Sequence, residues 1–423
     1  MQDLLEMENL ALEIVEKRIL HWNCRGYVKM PKVLKNGQNI NEIYLKWNKL
    51  SHLPHWIGKL KNITNLYLQH NQLVCLPEEL GELSQLTVLD VTSNLICNLP
   101  AGIGHLHRLN CFLAAKNALS CIPDDFQMLQ SLQILDFSCN SFKRIPDPIL
   151  KCRGLQEINF DNNCLTSLPD NIVYLPHLSM LSVCGNKLLY LPFLPFMSNP
   201  FIAFENNCNL NYLSIWQGQQ ISSKSNGIFN PESPWNLPRA QGCFCIVLGP
   251  SRVPIGDIRV RDNSPGNGVP LVLPSRLKLI SSGQGCQPSV PSLLELALRT
   301  VYSLGYNLSI QRKKIEKGYH FGMTRFCSNY QIYDSLPLVL QQQLTVGPTT
   351  LCYLCNSPIF TCGVIWVVMK EYYIEIDLDP LSHVLCIIVF CSVSCSSLYS
   401  QSERESIIHN NLVSRKLNWF PEK

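Results

Sequence analysis

Apolar and polar positions follow one repeated order between Ile40 and Met197. The order is L-x-x-L-x-L-x-x-N-x-L-x-x-L-P, with other apolar residues often in place of leucine, and it occurs seven times. The asparagines that mark it stand 23 residues apart without insertion or drift: Asn48, Asn71, Asn94, Asn117, Asn140, Asn163 and Asn186. A fixed period of this length predicts stacked units, none of which can bury its apolar face alone.

Each unit predicts a short strand, a turn and a return that is irregular or briefly helical. The leucines of the strand point into the core, and the asparagine side chain can satisfy backbone groups that a buried turn would leave without partners. This order of leucine and asparagine is the signature of leucine-rich repeats. We therefore predict a solenoid with a curved parallel β-sheet.

The flanks of the repeats are less regular. Apolar residues in segment 3–20 predict a helix over the first repeat, because the end of a solenoid exposes an apolar cross-section. Residues 23–34 resemble a degenerate first repeat, and residues 1–39 form the predicted N-terminal cap. Residues 40–215 hold seven regular repeats and one irregular repeat. Residues 216–290 are predicted to form a linker, from the Ser, Gly, Asn and Pro of 217–241, and a small β-rich element, from the apolar runs 245–248 and 269–273.

The residues between the strand leucines predict the concave face of the sheet, where solenoids usually bind partners. Exposed aromatic side chains beside charged ones are typical of contacts with a protein. An ordinary solvated sheet face is the alternative for any single residue. The predicted binding residues for a protein client are Tyr44, Trp47, Tyr67, His70, Asp90, Lys116, Asp136 and Asp161.

Residues 291–304, PSLLELALRTVYSL, predict the clearest helix outside the repeats. Ser292 and Glu295 fit a capping box, and Gly305 fits a helix stop. The helix is apolar on two sides, which predicts burial on two sides. We assign residues 291–345 to this helical segment, and a cap buried between the solenoid and the tail is one interpretation of it.

The second interpretation comes from a resemblance. The spacing of Leu293, Ala297 and Val301 resembles the elongin-binding box of substrate receptors for cullin-RING ubiquitin ligases. Leu336 and Pro337 resemble the start of the part of such a box that selects the cullin. The resemblance implies that elongin B/C and a cullin are partners, and it leaves the choice of cullin open.

Two cysteine pairs in the tail have the layout of a zinc site: Cys352 with Cys355 and, 36 residues later, Cys391 with Cys395. Four thiolates close a tetrahedron without an open position, so the predicted zinc is structural. Buried or redox-active thiols are the alternative. We assign residues 346–400 to a zinc-ribbon-like module, with each pair on a tight turn, a hairpin of strands 364–369 and 372–376, and a third strand at 384–390. Residues 401–423 form a tail.

The predicted fold class is therefore α/β: a leucine-rich-repeat solenoid with a small C-terminal helical plus zinc-ribbon-like module. The repeats, the PSLLELALRTVY helix, the LPLVL segment and the CYLCNSPIF and FCSVSC cysteine segments are similar, in this order, to small intracellular leucine-rich-repeat-containing proteins. That resemblance implies a ubiquitin-ligase receptor role for some members. The chain departs from the family pattern at 214–242 and around 313–330.

Composition narrows the classes of partner and compartment. A net charge of +4 over 423 residues gives no reason to expect nucleic acid or a membrane surface as a partner. Many of the 20 cysteines occupy repeat positions, which suits free thiols in a reducing compartment. The acidic N-terminal segment does not fit a signal peptide, and the apolar runs are too short to span a bilayer. We expect a cytoplasmic protein, with nuclear localisation also open.

The sequence contains no phosphate loop, nucleophile elbow or metal pair with an open position, so we predict no enzyme. The leading hypothesis is a non-enzymatic adaptor, the substrate-recognition subunit of an elongin BC cullin-RING ubiquitin ligase with its client on the concave face. The alternative is a signalling scaffold of the Ras or phosphatase type without a ubiquitin role. A thiol sensor that uses the four tail cysteines is a weaker third hypothesis.

Overall fold

The computed structural model describes most of the repeat region and shorter segments beyond it. The described residues are 10, 12–204, 206–207, 209–210, 213–214, 244–245, 258–261, 268–271, 278–279, 294–299, 344, 347–360, 362–372, 382–392, 394–399 and 415–416. The chain divides into two compact units. Unit 1 comprises Met1–Thr166, Leu175–Lys187 and Pro200–Asn206, and unit 2 comprises Ser167–Tyr174, Leu188–Asn199 and Asn207–Lys423.

Unit 1 contains one parallel sheet of nine strands in chain order. The strands are β1 (Ile19–His21), β2 (Glu42–Tyr44), β3 (Asn65–Tyr67), β4 (Val88–Asp90), β5 (Cys111–Leu113), β6 (Ile134–Asp136), β7 (Glu157–Asn159), β8 (Met180–Ser182) and β9 (Phe201–Ala203). From β1 to β8 the middle residue of each strand is buried. Equivalent residues pair across neighbouring strands, as Ile43 does with Leu66. The predicted leucine-rich-repeat solenoid is confirmed.

Short 3₁₀ helices form the returns between the strands. Those in unit 1 are Lys32–Asn36, His55–Lys59, Glu78–Glu82, Ala101–His105, Asp124–Met128 and Asp147–Lys151. Each follows a proline, whose fixed φ favours the extended approach to the helix. Successive returns lie very close together at Gly81, where a side chain would overlap the backbone of Gly102.

A cluster of phenylalanine rings fills the middle of the core of unit 1. The rings of Phe112, Phe126, Phe137, Phe142 and Phe160 lie with centroids 5.3 to 6.2 Å apart, several of them edge to face. These are the separations and angles that aromatic pairs prefer. All five rings are buried, so this cluster joins consecutive repeats beneath the sheet.

The helix predicted for residues 3–20 is wrong at its C-terminal end. The described helix, α1, covers residues 12–16, and β1 begins at Ile19 instead of continuing the helix. The first repeat therefore starts before residue 23, and the fully buried Trp22 belongs to it. The physical reason is the edge of β2: an unpaired strand edge needs a partner, and β1 pairs along all of β2.

The irregular repeat retains the features of the regular ones. β9 occupies its strand position in unit 1. Within unit 2, the Asn207 side-chain carbonyl accepts a hydrogen bond from the Leu188 N–H at 3.0 Å. The 3₁₀ helix Asp170–Tyr174 also lies in unit 2.

The other described elements of unit 2 form two helices and four small sheets. The helices are α2 (residues 294–299) and α3 (residues 394–399). The strands are β10 (Leu213–Ser214), β11 (Phe244–Cys245), β12 (Ile258–Arg261), β13 (Gly268–Leu271), β14 (Lys278–Leu279), β15 (Thr350–Leu351), β16 (Pro358–Ile359), β17 (Cys362–Tyr372), β18 (Ser382–Phe390) and β19 (Arg415–Lys416). The largest sheet has the order β10-β18-β17-β14, and β11-β19, β12-β13 and β15-β16 form pairs.

The hairpin predicted between 364–369 and 372–376 is wrong. β17 runs without interruption from Cys362 to Tyr372 and pairs antiparallel with β18, from Val364 opposite Phe390 to Tyr372 opposite Ser382. The polar residues Lys370 and Glu371 suggested a turn, but pairing with a strand of similar length satisfies their backbone groups.

Within the described part of the chain, no helix has the length and apolar composition that a bilayer span requires.

Candidate protein-binding face and metal centre

Three aromatic rings form a ladder on the outward side of the first strands of unit 1. Tyr44 stacks on His21 at 4.8 Å and on Tyr67 at 4.5 Å, at equivalent positions of β1, β2 and β3. The Lys46 ammonium lies 4.8 Å from the centre of the Tyr67 ring and 5.6 Å from that of Tyr44. A cation at this distance is attracted to the ring face. The ladder is therefore a fixed apolar surface with a positive charge at its border.

Trp47 and His70 form a second stack after the ends of β2 and β3. Their ring centroids lie 3.7 Å apart with an angle of 10° between the planes, and Trp47 is 60% exposed. Both residues have left-handed backbones, with φ of 57° and 55°. Each of these left-handed residues is followed by a buried asparagine of the repeat pattern, Asn48 or Asn71. Large exposed aromatic rings that are held rigidly are typical anchors of a protein interface.

The tyrosines of the ladder are held in their neutral form. A hydrogen bond from the Tyr44 hydroxyl to the Glu42 carboxylate, 2.9 Å long, raises the pKa of Tyr44 to about 12. Burial is the main cause that raises the pKa of Tyr67. Both hydroxyls therefore stay protonated to higher pH than an ordinary tyrosine, and Tyr44 uses its hydroxyl hydrogen in the bond to Glu42.

The acidic residues predicted for this face have structural partners. Asp90 is buried and accepts hydrogen bonds from the Thr92 N–H and the Gln69 side-chain amide. Asp136 accepts one from the Ser138 N–H at 2.9 Å. These carboxylates hold the turns that follow their strands, so part of their hydrogen-bonding capacity is already used.

Asp161 is held by hydrogen bonds within the repeats, whereas Lys116 is exposed to solvent. The Asp161 carboxylate accepts hydrogen bonds from the Ser182 hydroxyl at 2.6 Å and from the Cys184 N–H at 2.7 Å. Lys116 is exposed at the repeat position that Trp47 and His70 occupy. The structure thus brings the four aromatic residues together near β2 and β3, whereas Asp90, Lys116, Asp136 and Asp161 follow along the later strands.

Two further residues belong to this face. Sequence reasoning missed His21 because it lies between the predicted helix, 3–20, and the predicted degenerate repeat, 23–34, although it stands 23 residues before Tyr44. Lys46 lies on the rings of the ladder, and only a view across two repeats reveals that contact. We call His21, Tyr44, Lys46, Trp47, Tyr67 and His70 the aromatic patch.

Four cysteine sulfurs meet in unit 2. The Sγ atoms of Cys352, Cys355, Cys391 and Cys395 all lie within 4.8 Å of one another, and this set could hold a metal ion. Sγ of Cys391 is 3.6 Å from those of both Cys355 and Cys395. Four sulfurs at such distances fit the tetrahedral coordination of a d¹⁰ cation such as zinc, so the residues present fit a structural metal.

The first cysteine pair lies on a tight turn between β15 and β16. The Cys352 N–H donates to the Ser357 carbonyl at 2.8 Å, and the Asn356 N–H donates to the Cys352 carbonyl at 2.9 Å. Asn356 has a left-handed backbone, φ 57°, which closes the turn. The Tyr353 N–H donates to the Val389 carbonyl at 3.0 Å and thereby fixes the turn to β18.

The second pair is built differently from the tight turn expected for it. Cys391 directly follows β18, and Cys395 lies in α3. The Cys395 N–H donates to the Ser392 hydroxyl at 3.2 Å, as the first residues of a helix often require. A strand end and a helix start therefore supply these two sulfurs.

The thiols of this cluster are electrostatically linked. A hydrogen bond from the Cys391 thiol, together with backbone N–H groups of residues 354, 355 and 391, lowers the pKa of Cys352 against the opposing effect of burial. The neighbouring Cys352 raises the pKa of Cys391. The surroundings of Cys352 thus favour a thiolate, which is the form that binds a metal cation.

Helix α2 packs against the cysteine cluster on one side. Glu295 and Leu298 are fully buried, whereas Leu294 and Leu296 are exposed and Ala297 is half-buried. The Glu295 carboxylate does not act only at the start of its helix, as the capping box implied, because it accepts a hydrogen bond from the Phe360 N–H at 3.0 Å. The predicted box residues Leu293, Val301, Leu336 and Pro337 lie outside the described residues, as does Ser292.

Comparison with known families places the repeats. Residues 41–142 match the family described as leucine-rich repeat region, and residues 130–188 match the family described as leucine rich repeat. The chain contains leucine-rich repeats. No curated protein sequence matches it.

Two solved structures are similar to part of the chain. A leucine-rich-repeat protein of Leptospira interrogans is 26% identical with a TM-score of 0.40, over 48% of this chain and 56% of that one. The leucine-rich-repeat ectodomain of the plant membrane receptor kinase GASSHO1/SCHENGEN3 from Arabidopsis thaliana, in complex with CASPARIAN STRIP INTEGRITY FACTOR 2, is 29% identical with a TM-score of 0.37. The match covers 44% of this chain and 22% of that one. This leucine-rich-repeat protein therefore spans about half the length of the Leptospira protein and about a fifth of the length of the plant ectodomain.

Leucine-rich-repeat domains use their sheet face to bind other molecules, and this supports a protein-binding role.

Proposed function

We propose that this protein is a non-enzymatic adaptor that binds a client protein on the sheet face of its repeats. The observation that carries the proposal is the aromatic patch, and above all the rigid stack of Trp47 on His70, with Trp47 60% exposed. Exposed aromatic rings that are held rigidly on a sheet face, here at the β1 to β3 end of the sheet, are typical of an interaction site. The client we propose is a protein of the cytoplasm.

Site-specific photocrosslinking tests this proposal. A benzophenone amino acid replaces Trp47 in one variant and Met128, exposed on a return, in a matched variant. We expect crosslinked proteins from position 47 that are absent from position 128 and that decrease when Tyr67→Ala is added. The same proteins from both positions would contradict the proposal.

The second part of the proposal concerns recruitment of a ubiquitin-ligase core. Ala297, at the centre of the elongin-box pattern, lies away from the buried Glu295 and Leu298, and the neighbouring Leu294 and Leu296 are exposed. This arrangement supports a helix with one side fixed to its own domain and the other side open to elongin C. We propose that the protein is the substrate-recognition subunit of an elongin BC cullin-RING ligase.

Co-precipitation of elongins B and C tests the recruitment. Wild type is compared with Leu293→Ser combined with Ala297→Asp, and with the control Leu296→Ser, which changes an exposed leucine outside the box spacing. We expect the elongins to be lost from the double variant alone. Their absence from wild type, with kinases or phosphatases found by proximity labelling instead, would favour a signalling scaffold.

We also propose that the four clustered cysteines bind one structural zinc ion. Support comes from the four sulfurs within 4.8 Å of one another and from the hydrogen bonds that shape the turn around Cys352. Zinc bound there would hold a tight turn, a strand end and a helix start together, and would add to the stability that buried side chains such as Phe360 and Phe390 provide.

A further inference from the structure

Helix α2 meets the cysteine cluster through a buried carboxylate. Glu295 has an exposed fraction of 0%, and its Oε1 accepts hydrogen bonds from the Phe360 N–H at 3.0 Å and from the Arg299 Nε at 2.7 Å. Phe360, also fully buried, directly follows β16, the strand that closes the first cysteine turn. The helix is therefore bonded to the backbone that leads away from Cys352 and Cys355.

Arg299 connects the same carboxylate to the second cysteine pair. Its guanidinium donates to the Cys391 carbonyl at 3.1 Å while it holds the Glu295 carboxylate. The chain of bonds therefore runs from Phe360 through Glu295 and Arg299 to Cys391. It joins the two halves of the cluster, which lie far apart in the sequence.

These bonds require the cluster to keep its geometry. A buried carboxylate is costly when it loses a partner, and breaking a buried ion pair destabilises far more than a surface pair would. If the two cysteine pairs separated, Phe360 and Cys391 would move apart, and either the Glu295 or the Arg299 bond would break. Hydrogen bonds in the layer around metal ligands also orient those ligands, and their loss commonly weakens metal affinity.

We infer that Glu295 and Arg299 are positioning residues that make metal binding by the four cysteines and docking of α2 a single linked equilibrium. The inference rests on the metal site proposed above and adds a consequence for recruitment. The occupied cluster fixes Glu295, Leu298 and Arg299 inside the module and so presents Ala297, which lies on the box spacing, outward. Loss of the metal releases the helix and with it the surface proposed for elongin C.

Linkage makes the inference reciprocal: if the metal stabilises the docked helix, the docked helix must strengthen metal binding by the same factor. Both directions can be measured on the full chain under reducing conditions. Co²⁺ titration reports affinity and tetrahedral thiolate coordination through its absorption bands. Hydrogen exchange of the amides of residues 294–299, with and without a chelator, reports docking of the helix.

In wild type we expect chelation to speed exchange in α2 by at least about 5-fold, the lower limit for a typical linked effect. Glu295→Ala and Arg299→Met are expected to weaken Co²⁺ binding by about 10- to 100-fold and to remove the dependence of α2 exchange on metal. Arg299→Lys keeps a charge beside Glu295 and should recover part of the affinity. Leu296→Ser, a change on the exposed side of the same helix, should leave both measurements as in wild type.

The outcomes separate this inference from the proposed function. Co²⁺ bound with thiolate bands in wild type, but with α2 exchange unaffected by chelation, would overturn the linkage and leave the metal site standing. Equal Co²⁺ affinity of wild type and Arg299→Met would overturn it as well. Failure of wild type to bind Co²⁺ at all would overturn the metal site and the inference together. The wild-type exchange measurement needs no substitution, so it decides even if a variant fails to fold.

Discussion

The side-chain carbonyl of Asn94 accepts a hydrogen bond from the backbone N–H of Leu73 at 3.0 Å, across the boundary between two repeats. The amide of the same side chain donates to the carbonyls of Leu68 and Val91, at 3.0 and 2.9 Å. Asn94 has an exposed fraction of only 6%. One side chain therefore satisfies three backbone groups that water cannot reach.

We expect Asn94→Ala to destabilise the repeat unit by about 3 kcal/mol or more, because each buried group left without a partner costs about 1 to 3 kcal/mol. Urea unfolding followed by circular dichroism measures the change in free energy of unfolding. The control is Asn98→Ala, an exposed asparagine four residues away, which should change stability by less than about 0.5 kcal/mol. Equal losses of unfolding free energy in the two variants would show that the hydrogen bonds of Asn94 contribute little to stability.

The residue before each asparagine of the repeat pattern has a left-handed backbone. A substitution at this position is predicted to raise stability instead of lowering it. Ser93 has φ of 57°, and this conformation costs a residue with a side chain about 1 to 2 kcal/mol. Ser93→Gly should therefore raise stability, by up to about 1 kcal/mol once the greater flexibility of unfolded glycine is subtracted. The Ser93 N–H bond to the Ala115 carbonyl is kept in this variant.

Gly185 supplies the opposing control for this position. It has φ of 65°, and a side chain there would overlap the Asn162 side-chain carbonyl. Gly185→Ala should lower the thermal midpoint of the repeat unit, while Ser93→Gly raises it. A decrease in both variants would mean that side-chain contacts, and not backbone conformation, dominate at this position.

The repeats could be predicted from sequence because every decisive contact recurs with the period. Asn94 repeats the bonds of Asn71 and Asn117, so one pattern reports all of them. The apolar positions of segment 3–20 predicted a helix over the first residues of β1, and Arg25, where the other repeats have asparagine, leaves this repeat without the marker of the pattern. The strand forms because β2 offers it an edge, and that reason is not local to its own sequence.

The metal centre shows a similar division. The spacing of the cysteines predicted which sulfurs would lie together, because two closely spaced cysteine pairs are the typical ligand pattern of a structural zinc site. The role of Glu295 could not be predicted, since its partner Phe360 is 65 residues away and contributes only a backbone N–H. Backbone donors are present at every residue except proline, so they leave no mark in a sequence.

Cys111 lies on the outward side of β5, and we expect it to resist alkylation. Burial first, and then the charges of Asp90, Glu157 and Asp136, raise the pKa of its thiol to about 11. A raised pKa means that the thiol stays protonated at pH 8, and the thiolate is the form that reacts. Iodoacetamide labelling followed by peptide mass spectrometry should show Cys111 reacting more than about 10-fold slower than the exposed Cys97.

The pH dependence and a charge variant check the cause of this resistance. Labelling of Cys111 should rise steeply as the pH approaches 11, where its thiolate forms. Asp136→Asn removes one of the charges that raise the pKa and should speed labelling at pH 8. Rates for Cys111 and Cys97 that agree across the whole pH range would contradict the electrostatic explanation.

The last prediction concerns the metal content of the protein. Four thiolates satisfy one tetrahedral zinc ion, so elemental analysis of the purified full chain should find about one zinc per chain. Cys355→Ser removes a sulfur 3.6 Å from that of Cys391 and should reduce the bound zinc strongly, whereas Cys97→Ser, in the repeats, should not. Acidification should release the ion, because protons compete with the metal for the thiolates. A protein without metal but with all four thiols reduced would contradict the structural site and would favour a thiol sensor, since bound zinc leaves no free thiolate to be oxidised.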